Sequence, residues 1–207
     1  MEKYTSLLKF NNTENQCITV AETGQKAWLS RSVAVVGLIR INNKYLMVKR
    51  GPKCPDEVGK WVLPCGYLDN DENLSEAMMR ECKEETSFNL LAMMSDLTDV
   101  TLNSFACDPF DESEVGMPYG DGRAVFTRSN PKRDKKQNIS EYMAIVGCLA
   151  AELPVPDINQ LNPDETEAVA WMSMEQINHL DAHGCIGFNH ARQIIRFHAK
   201  LNAGFTL

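Results

Sequence analysis

Hydrophobic and polar positions divide the chain into a small set of elements. Ser32 to Ile41 (SVAVVGLIRI) is apolar almost throughout and rich in Val and Ile, the pattern of a buried strand. Asn42-Asn43-Lys44 is a turn signal, and Tyr45 to Lys49 is a second strand, so the two form a hairpin. Residues 51 to 60 read as a loop containing two prolines. From about Asn73 to Thr86 the period changes to that of a helix. Leu74, Ala77, Met78 and Cys82 give it an apolar face, and Asn73 with Glu76 makes a capping box.

Beyond the helix, Asn89 to Phe105 reads as strand-prone, with Leu90-Leu91-Ala92-Met93-Met94 and then Val100-Thr101-Leu102. Cys107 to Ser140 is the least regular segment, expected to be a substrate lid, a subunit contact or a mobile insert. Its basic run, Lys132 to Lys136, is expected to be solvated rather than phosphate-bound. Glu141 to Ala151 is a further buried strand, followed by a loop punctuated by Pro154, Pro156 and Pro163. Glu167 to Met172 is a strand, Ser173 or Met174 to His183 a helix, and Phe188 to Leu201 an amphipathic C-terminal helix. Residues 1 to 30 are mixed and polar, with a β-like patch at Cys17 to Ala21. They form an N-terminal extension suited to an edge strand or a dimer contact, which leaves a homodimer open.

The division is therefore an extension over 1–30, a domain over 31–184 and a C-terminal helix over 185–207. With 207 residues the chain has room for one domain with additions. The net charge of -7 argues against a general nucleic-acid binder, although one pocket holding a cation can be locally positive. Seven cysteines at irregular spacing, with no Cys-x-x-Cys pair, fit reduced thiols in a cytoplasmic protein. The first residues lack the pattern of a secretory signal, and no apolar run approaches the ~20 residues of a spanning helix, so no membrane role is expected.

The chemistry concentrates in the helix. Glu81, Glu84 and Glu85 are related by i+3 and i+4 steps and share one face. Like charges this close repel, and a hard divalent cation taking oxygen ligands relieves the repulsion. A solvated acidic face with Arg80 and Lys83 as local ion pairs is the plainer reading. It does not account for Gly66 and Glu72 at their offsets, nor for the Trp61-Val62-Leu63-Pro64 run leading in. Gly59-Lys60 is not a phosphate-binding loop, because Trp61 follows and the upstream glycine spacing is wrong. His179, His183 and Cys185 lack the glutamate of a zinc protease motif, and His183-Gly184 fits a helix terminus better.

Gly66, Glu72, Arg80, Glu81, Glu84 and Glu85, with apolar Cys82 and Phe88, resemble the signature of the Nudix hydrolase (MutT-like) family. Two positions depart from it. Ser87 stands where the family has Gly, and Cys65 stands where the common Pro-Gly-Gly run has its first Gly. The resemblance implies an α/β fold, a Nudix-type α/β/α sandwich around a mixed sheet. It implies Mg²⁺-dependent hydrolysis, with Mn²⁺ a substitute, of a nucleoside diphosphate linked to a further moiety: a nucleotide sugar, a dinucleotide or a triphosphate. Carried over by position, Glu81 and Glu85 are metal ligands and Glu84 is a third ligand or the base. The Cys65 carbonyl is a further metal ligand, and Arg80 orients the carboxylates. Arg50, at a strand end, is the candidate phosphate-facing group. Glu152, Glu165 and Glu167 are candidates for a carboxylate outside the helix. No downstream substrate signature is present. A nucleotide-sensing Nudix module with little catalysis is the alternative, and an isoprenoid diphosphate isomerase on the same fold is a third.

Overall fold

The computed structural model describes residues 16–29, 33–69, 72–101, 114–118, 124–129 and 139–202. Strands β1 (Gln16–Thr19) and β2 (Lys26–Leu29) pair antiparallel as a separate two-stranded ribbon. The patch expected at Cys17 thus finds its partner inside the extension. The main sheet is built on β3 (Val33–Ile41) and β4 (Lys44–Arg50). Asn42 and Asn43 turn between them with φ of 49° and 61°. Both values are positive, as the tight hairpin turn requires, and Asn tolerates that region better than most residues.

Two short strands, β5 (Trp61–Val62) and β6 (Cys65–Tyr67), pair with β4 and β3. Helix α1 (Leu74–Thr86) follows, then α2 (Leu90–Ser95) and β7 (Thr98–Thr101). Strands β8 (Glu114–Pro118), β9 (Ala124–Ser129) and β10 (Ile139–Cys148) come next. The chain closes with β11 (Thr166–Met172), α3 (Met174–Ala182) and α4 (His190–Asn202). The strand order is β11-β4-β3-β10-β9-β8. β3 and β10 run parallel, in register from Val33–Ile139 to Ile41–Gly147, while β4–β11 and β9–β10 are antiparallel, so the sheet is mixed.

The period of two along the strands makes two cores. On one face Val35, Ile39, Ile41, Leu46, Met143 and Ile145 meet α1 and α2 through Leu74, Ala77, Met78, Cys82 and Leu90. On the other, Val36, Leu38, Tyr45, Met47, Tyr142 and Ala144 meet Ile177 of α3 and Ala191, Ile194 and Phe197 of α4. The result is an α/β/α sandwich around a mixed sheet, as the signature implied. Gly37 sits where a Cβ would fall 2.8 Å from the Met78 thioether, so its absence lets α1 lie close on β3.

Helix α1 is fixed at both ends. Asn73 Oδ1 accepts from the backbone N–H groups of Ser75 and Glu76, each at 3.0 Å, and Glu76 Oε2 accepts from the Asn73 N–H at 2.8 Å. Ser87 takes φ 64° at the C-terminus and its N–H donates to the Lys83 carbonyl at 2.9 Å. Serine thus fills the left-handed position that glycine holds in the signature. Its hydroxyl accepts from the Asp157 N–H at 2.8 Å, tying the proline-rich loop to the helix end.

Two expectations are corrected. Leu90 to Met94 is helix, not strand: Asn89 Oδ1 accepts from the Ala92 N–H at 3.1 Å, and Leu, Ala and Met are strong helix formers. Among the described residues of that stretch, Thr98–Thr101 is the strand. Within 107–140, β8 and β9 form an antiparallel hairpin that extends the sheet from β10. Gly116 and Pro118 hid β8, since both weaken a strand pattern, and Pro is tolerated because β8 lies at the sheet edge. The basic run Lys132 to Lys136 lies outside the described residues.

Asn73→Ala removes the acceptor at the start of α1. It is expected to lower unfolding stability by about 1 kcal/mol in a chemical denaturation series, while Asn73→Ser is expected to stay near wild type.

Candidate functional site

The site forms where β6 passes the C-terminal half of α1. Hydrogen bonds from the Gly37 N–H to the Pro64 carbonyl (2.8 Å) and from the Leu68 N–H to the Val33 carbonyl (3.0 Å) fix the β3–β6 register. In an antiparallel ladder bonded and unbonded pairs alternate. Cys65 and Tyr67 therefore fall at the unbonded positions, with N–H and C=O turned off the ladder. The Cys65 N–H donates instead to Glu85 Oε2 at 2.9 Å, and the Tyr67 carbonyl accepts from Arg80 Nη2 at 2.9 Å. The Cys65 carbonyl, the expected backbone ligand, likewise lies off the β3 ladder.

Gly66 lies between these two residues. A Cβ there would fall 2.0 Å from the Glu81 carboxylate, so only glycine lets that carboxylate rest against the backbone. Replacement of the other glycine in the signature's usual run by Cys65 leaves this approach intact. The Cys65 side chain points to the opposite core, beside the residues that pack on α4.

Arg80 gathers the acids. Its Nε and Nη2 grip Glu72 with both oxygens, at 2.9 and 2.6 Å. Its Nη1 donates to Glu81 Oε1 at 2.7 Å and to Glu84 Oε2 at 3.2 Å, and Asp69 lies 3.8 Å away. One guanidinium is thus shared among several carboxylates. The Arg80 hydrogen bond holds the Glu72 carboxyl below its usual range. Burial pushes Glu81 up, against the opposing hydrogen bond from Arg80. Glu85 rises to about 8, mainly through burial, with the neighbouring Glu81 charge adding to it and the Cys65 N–H opposing. Burial also raises the Cys65 thiol, which is therefore neutral.

Among the described residues no three imidazole, thiol or carboxylate groups converge on one point. Glu84, with a side chain 59% exposed, turns to Arg80. The ready donors are two carboxylates, Glu81 and Glu85, beside a backbone carbonyl at Cys65. This all-oxygen set fits Mg²⁺, which is typically held by one or two protein carboxylates with water and substrate phosphate completing the shell. A cation there would favour the ionised form of Glu85, which burial disfavours.

Arg50, the candidate phosphate-facing group, is engaged by Asp56 and Phe188. Its Nε donates to the Asp56 carbonyl at 2.9 Å, its Nη2 donates to Asp56 Oδ1 at 3.0 Å, and its guanidinium lies 5.0 Å from the centre of the Phe188 ring. Its charge still lowers the proton affinity of Glu85 and Cys65. The lysines around it are engaged: Lys49 with Glu167 and Lys60 with Glu57, both at 2.6 Å, and Lys53 with Asp164. Of the carboxylates expected outside the helix, Glu165 adds its charge to the effects that raise Glu85. Gly51 makes this approach possible, because a Cβ there would strike the 164–165 backbone at 2.5 to 2.8 Å. His183 Nδ1 is bonded to the His179 carbonyl at 2.7 Å, so that pair serves the helix end. Sequence reasoning missed Asp56, Phe188 and the Tyr67 carbonyl, all joined to the site by contacts without a local signature.

A family model described as NUDIX domain matches residues 28–187. The nucleoside triphosphatase NudI of Escherichia coli is 29% identical over 147 residues, 71% of this chain and 85% of that protein. The ADP-ribose pyrophosphatase of Methanocaldococcus jannaschii is 41% identical over 61 residues, 30% of this chain and 35% of that protein. Among solved structures, a bifunctional NMN adenylyltransferase/ADP ribose pyrophosphatase from Francisella tularensis superposes with a TM-score of 0.55 at 25% identity. That alignment covers 81% of this chain but only 40% of the larger protein.

Because the folded state raises the Glu85 proton affinity, the stability it contributes is full below the unfolded value of about 4.5 and is lost as pH rises through about 8. Metal-free protein is therefore expected to lose thermal stability between pH 5 and 8. Glu85→Gln is expected to flatten that slope, as read by melting temperature in chelator. Gly66→Ala, which displaces the Glu81 carboxylate, is expected to weaken Mn²⁺ affinity at least tenfold by calorimetric titration.

Proposed function

The chain belongs to the Nudix family, and we propose that it cleaves the diphosphate linkage of a nucleoside triphosphate or of ADP-ribose, with Mg²⁺ as the cation and Mn²⁺ as a substitute. It is an acid anhydride hydrolase. The substrate classes follow the names of its relatives. The observation that carries the cation is the pair Glu81 and Glu85, held against β6 by Gly66 and the Cys65 N–H. A cation held there by Glu81, Glu85 and the Cys65 carbonyl would neutralise diphosphate oxygens and acidify a bound water.

The chain's own residues supply the rest. Arg80 fixes Glu72 and Glu81 in place and leaves Glu85 to the Cys65 N–H. Glu84 is exposed and, among the described residues, bonded through Oε2 alone, which leaves Oε1 to take a proton from an attacking water. Glu165, brought to the site by the glycine at 51, is the second candidate for that proton. A sensing module would be favoured by a damaged cluster. Here Gly66 and all five charged signature residues are present, and the five are hydrogen-bonded to one another or to β6.

Turnover of ATP and of ADP-ribose with Mg²⁺, read by phosphate, pyrophosphate or ribose 5-phosphate release, separates the substrate classes. Glu85→Gln is expected to cut kcat by two or more orders of magnitude with the fold intact. Glu84→Gln is expected to cut kcat about 10²-fold or more while retaining Mn²⁺ affinity. A near wild-type rate in the Glu84 variant, together with a large loss in Glu165→Gln, moves the base to Glu165.

A further inference from the structure

Phe188 is held in a conformation that large side chains avoid. Its φ is +53°, and Asn189 follows at +57°. A bulky residue in the left-handed region is an outlier that persists only where its surroundings over-determine it, and such outliers cluster at functional sites. The surroundings here are explicit. The Gly187 N–H donates to the Trp61 carbonyl at 2.9 Å, and the Trp61 N–H donates to the Cys185 carbonyl at 2.9 Å. A Cβ at 187 would press on Val62 at 3.0 Å and on Glu57 at 3.1 Å. Next in the chain, His190 is buried and its Nδ1 accepts from the Leu63 N–H at 2.9 Å. The turn that carries Phe188 is thus tied to residues 61–63, and two residues further on Cys65 donates to Glu85.

The ring that this turn presents is mostly covered but keeps part of its surface in solvent. Arg50 lies 5.0 Å from its centre and is held there by two bonds to Asp56. The His190 ring lies 5.5 Å away, tilted by 55°. Arg50 is therefore the common neighbour of the carboxylate site and of this aromatic ring. A fixed cation against one side of an aromatic ring makes a rigid, polarised platform. A partly exposed aromatic beside the proposed phosphate site suits the flat, uncharged end of a nucleotide, since every base has a face that can stack.

We propose that Phe188 is the base-binding residue of this hydrolase, stacking on the nucleobase of the substrate, with Arg50 and Asp56 as positioning residues that hold the ring. The proposal rests on the nucleotide pyrophosphohydrolase reading above and names how the same site takes its nucleoside. Stacking is tolerant of base identity, so discrimination between purines and pyrimidines is expected to be modest, while discrimination against a ligand without a base is expected to be strong.

The test compares AMP with ribose 5-phosphate, which share the ribose phosphate and differ in the base, by calorimetric titration in the presence of Mn²⁺. Wild type is expected to bind AMP at least tenfold more tightly. Phe188→Leu is expected to erase that difference by weakening AMP alone. Phe188→Trp is expected to keep it, and its fluorescence is expected to be quenched by AMP but not by ribose 5-phosphate. Arg50→Met is expected to weaken AMP more than ribose 5-phosphate. Equal loss of both ligands in Phe188→Leu, no loss of either, or a Phe188→Trp signal indifferent to AMP overturns the proposal. Failure of the hydrolase reading shows separately, as absence of turnover in wild type.

Discussion

Glu81 and Glu85 lie one helical turn apart, both withdrawn from solvent, and the charge of Glu81 makes Glu85 harder to ionise. Nothing in helix formation favours that placement, and burial makes it worse because the charged form loses its hydration. The local structure nevertheless holds the pair in place. The glycine at 66 removes the one atom that would displace Glu81, the Cys65 N–H anchors Glu85, and Arg80 restrains Glu81 from the solvent side. A divalent cation would relieve such repulsion, and it is the group we propose this pair binds against a diphosphate substrate.

The fold turns this local tension into a defined geometry. Helix α1 is capped at both ends, so the acids cannot relax by fraying. Its apolar face is pressed on the sheet through Met78 against Gly37 and through Leu74, Ala77 and Cys82. Strand β6 is locked to β3 at alternate residues, which turns the groups of Cys65 and Tyr67 outward to Glu85 and Arg80. The substitution of serine at position 87 costs little here, because the left-handed turn is kept and the hydroxyl gains a partner in the Asp157 N–H. The second departure, cysteine at 65, sends its side chain into the opposite core and leaves its backbone at the site.

Features with a local cause could be read from the sequence. The capping box, the apolar face of α1 and the spacing of Glu81, Glu84 and Glu85 all follow from 3.6-residue periodicity, and the Asn42-Asn43 turn follows from side-chain chemistry. Local signals fall short where preference is ambiguous or is settled by distant partners. Leu90 to Met94 is an apolar run too short for periodicity to decide between helix and strand. Strand β8 is specified by pairing with β9 rather than by its own Gly- and Pro-containing sequence. Arg50 was legible as a cation at a strand end, but its capture by Asp56 and Phe188 depends on a residue 138 positions away (188 minus 50). The approach of Glu165 depends likewise on the lack of a side chain at Gly51.

We propose that the paired acids of α1 hold a divalent cation against a phosphoanhydride. Anomalous diffraction at the manganese edge, from crystals soaked in Mn²⁺, tests it directly. A peak within coordination distance of the carboxylates of Glu81 and Glu85 and of the Cys65 carbonyl is the result expected. No peak at saturating Mn²⁺, or a peak lying away from both carboxylates, would contradict it.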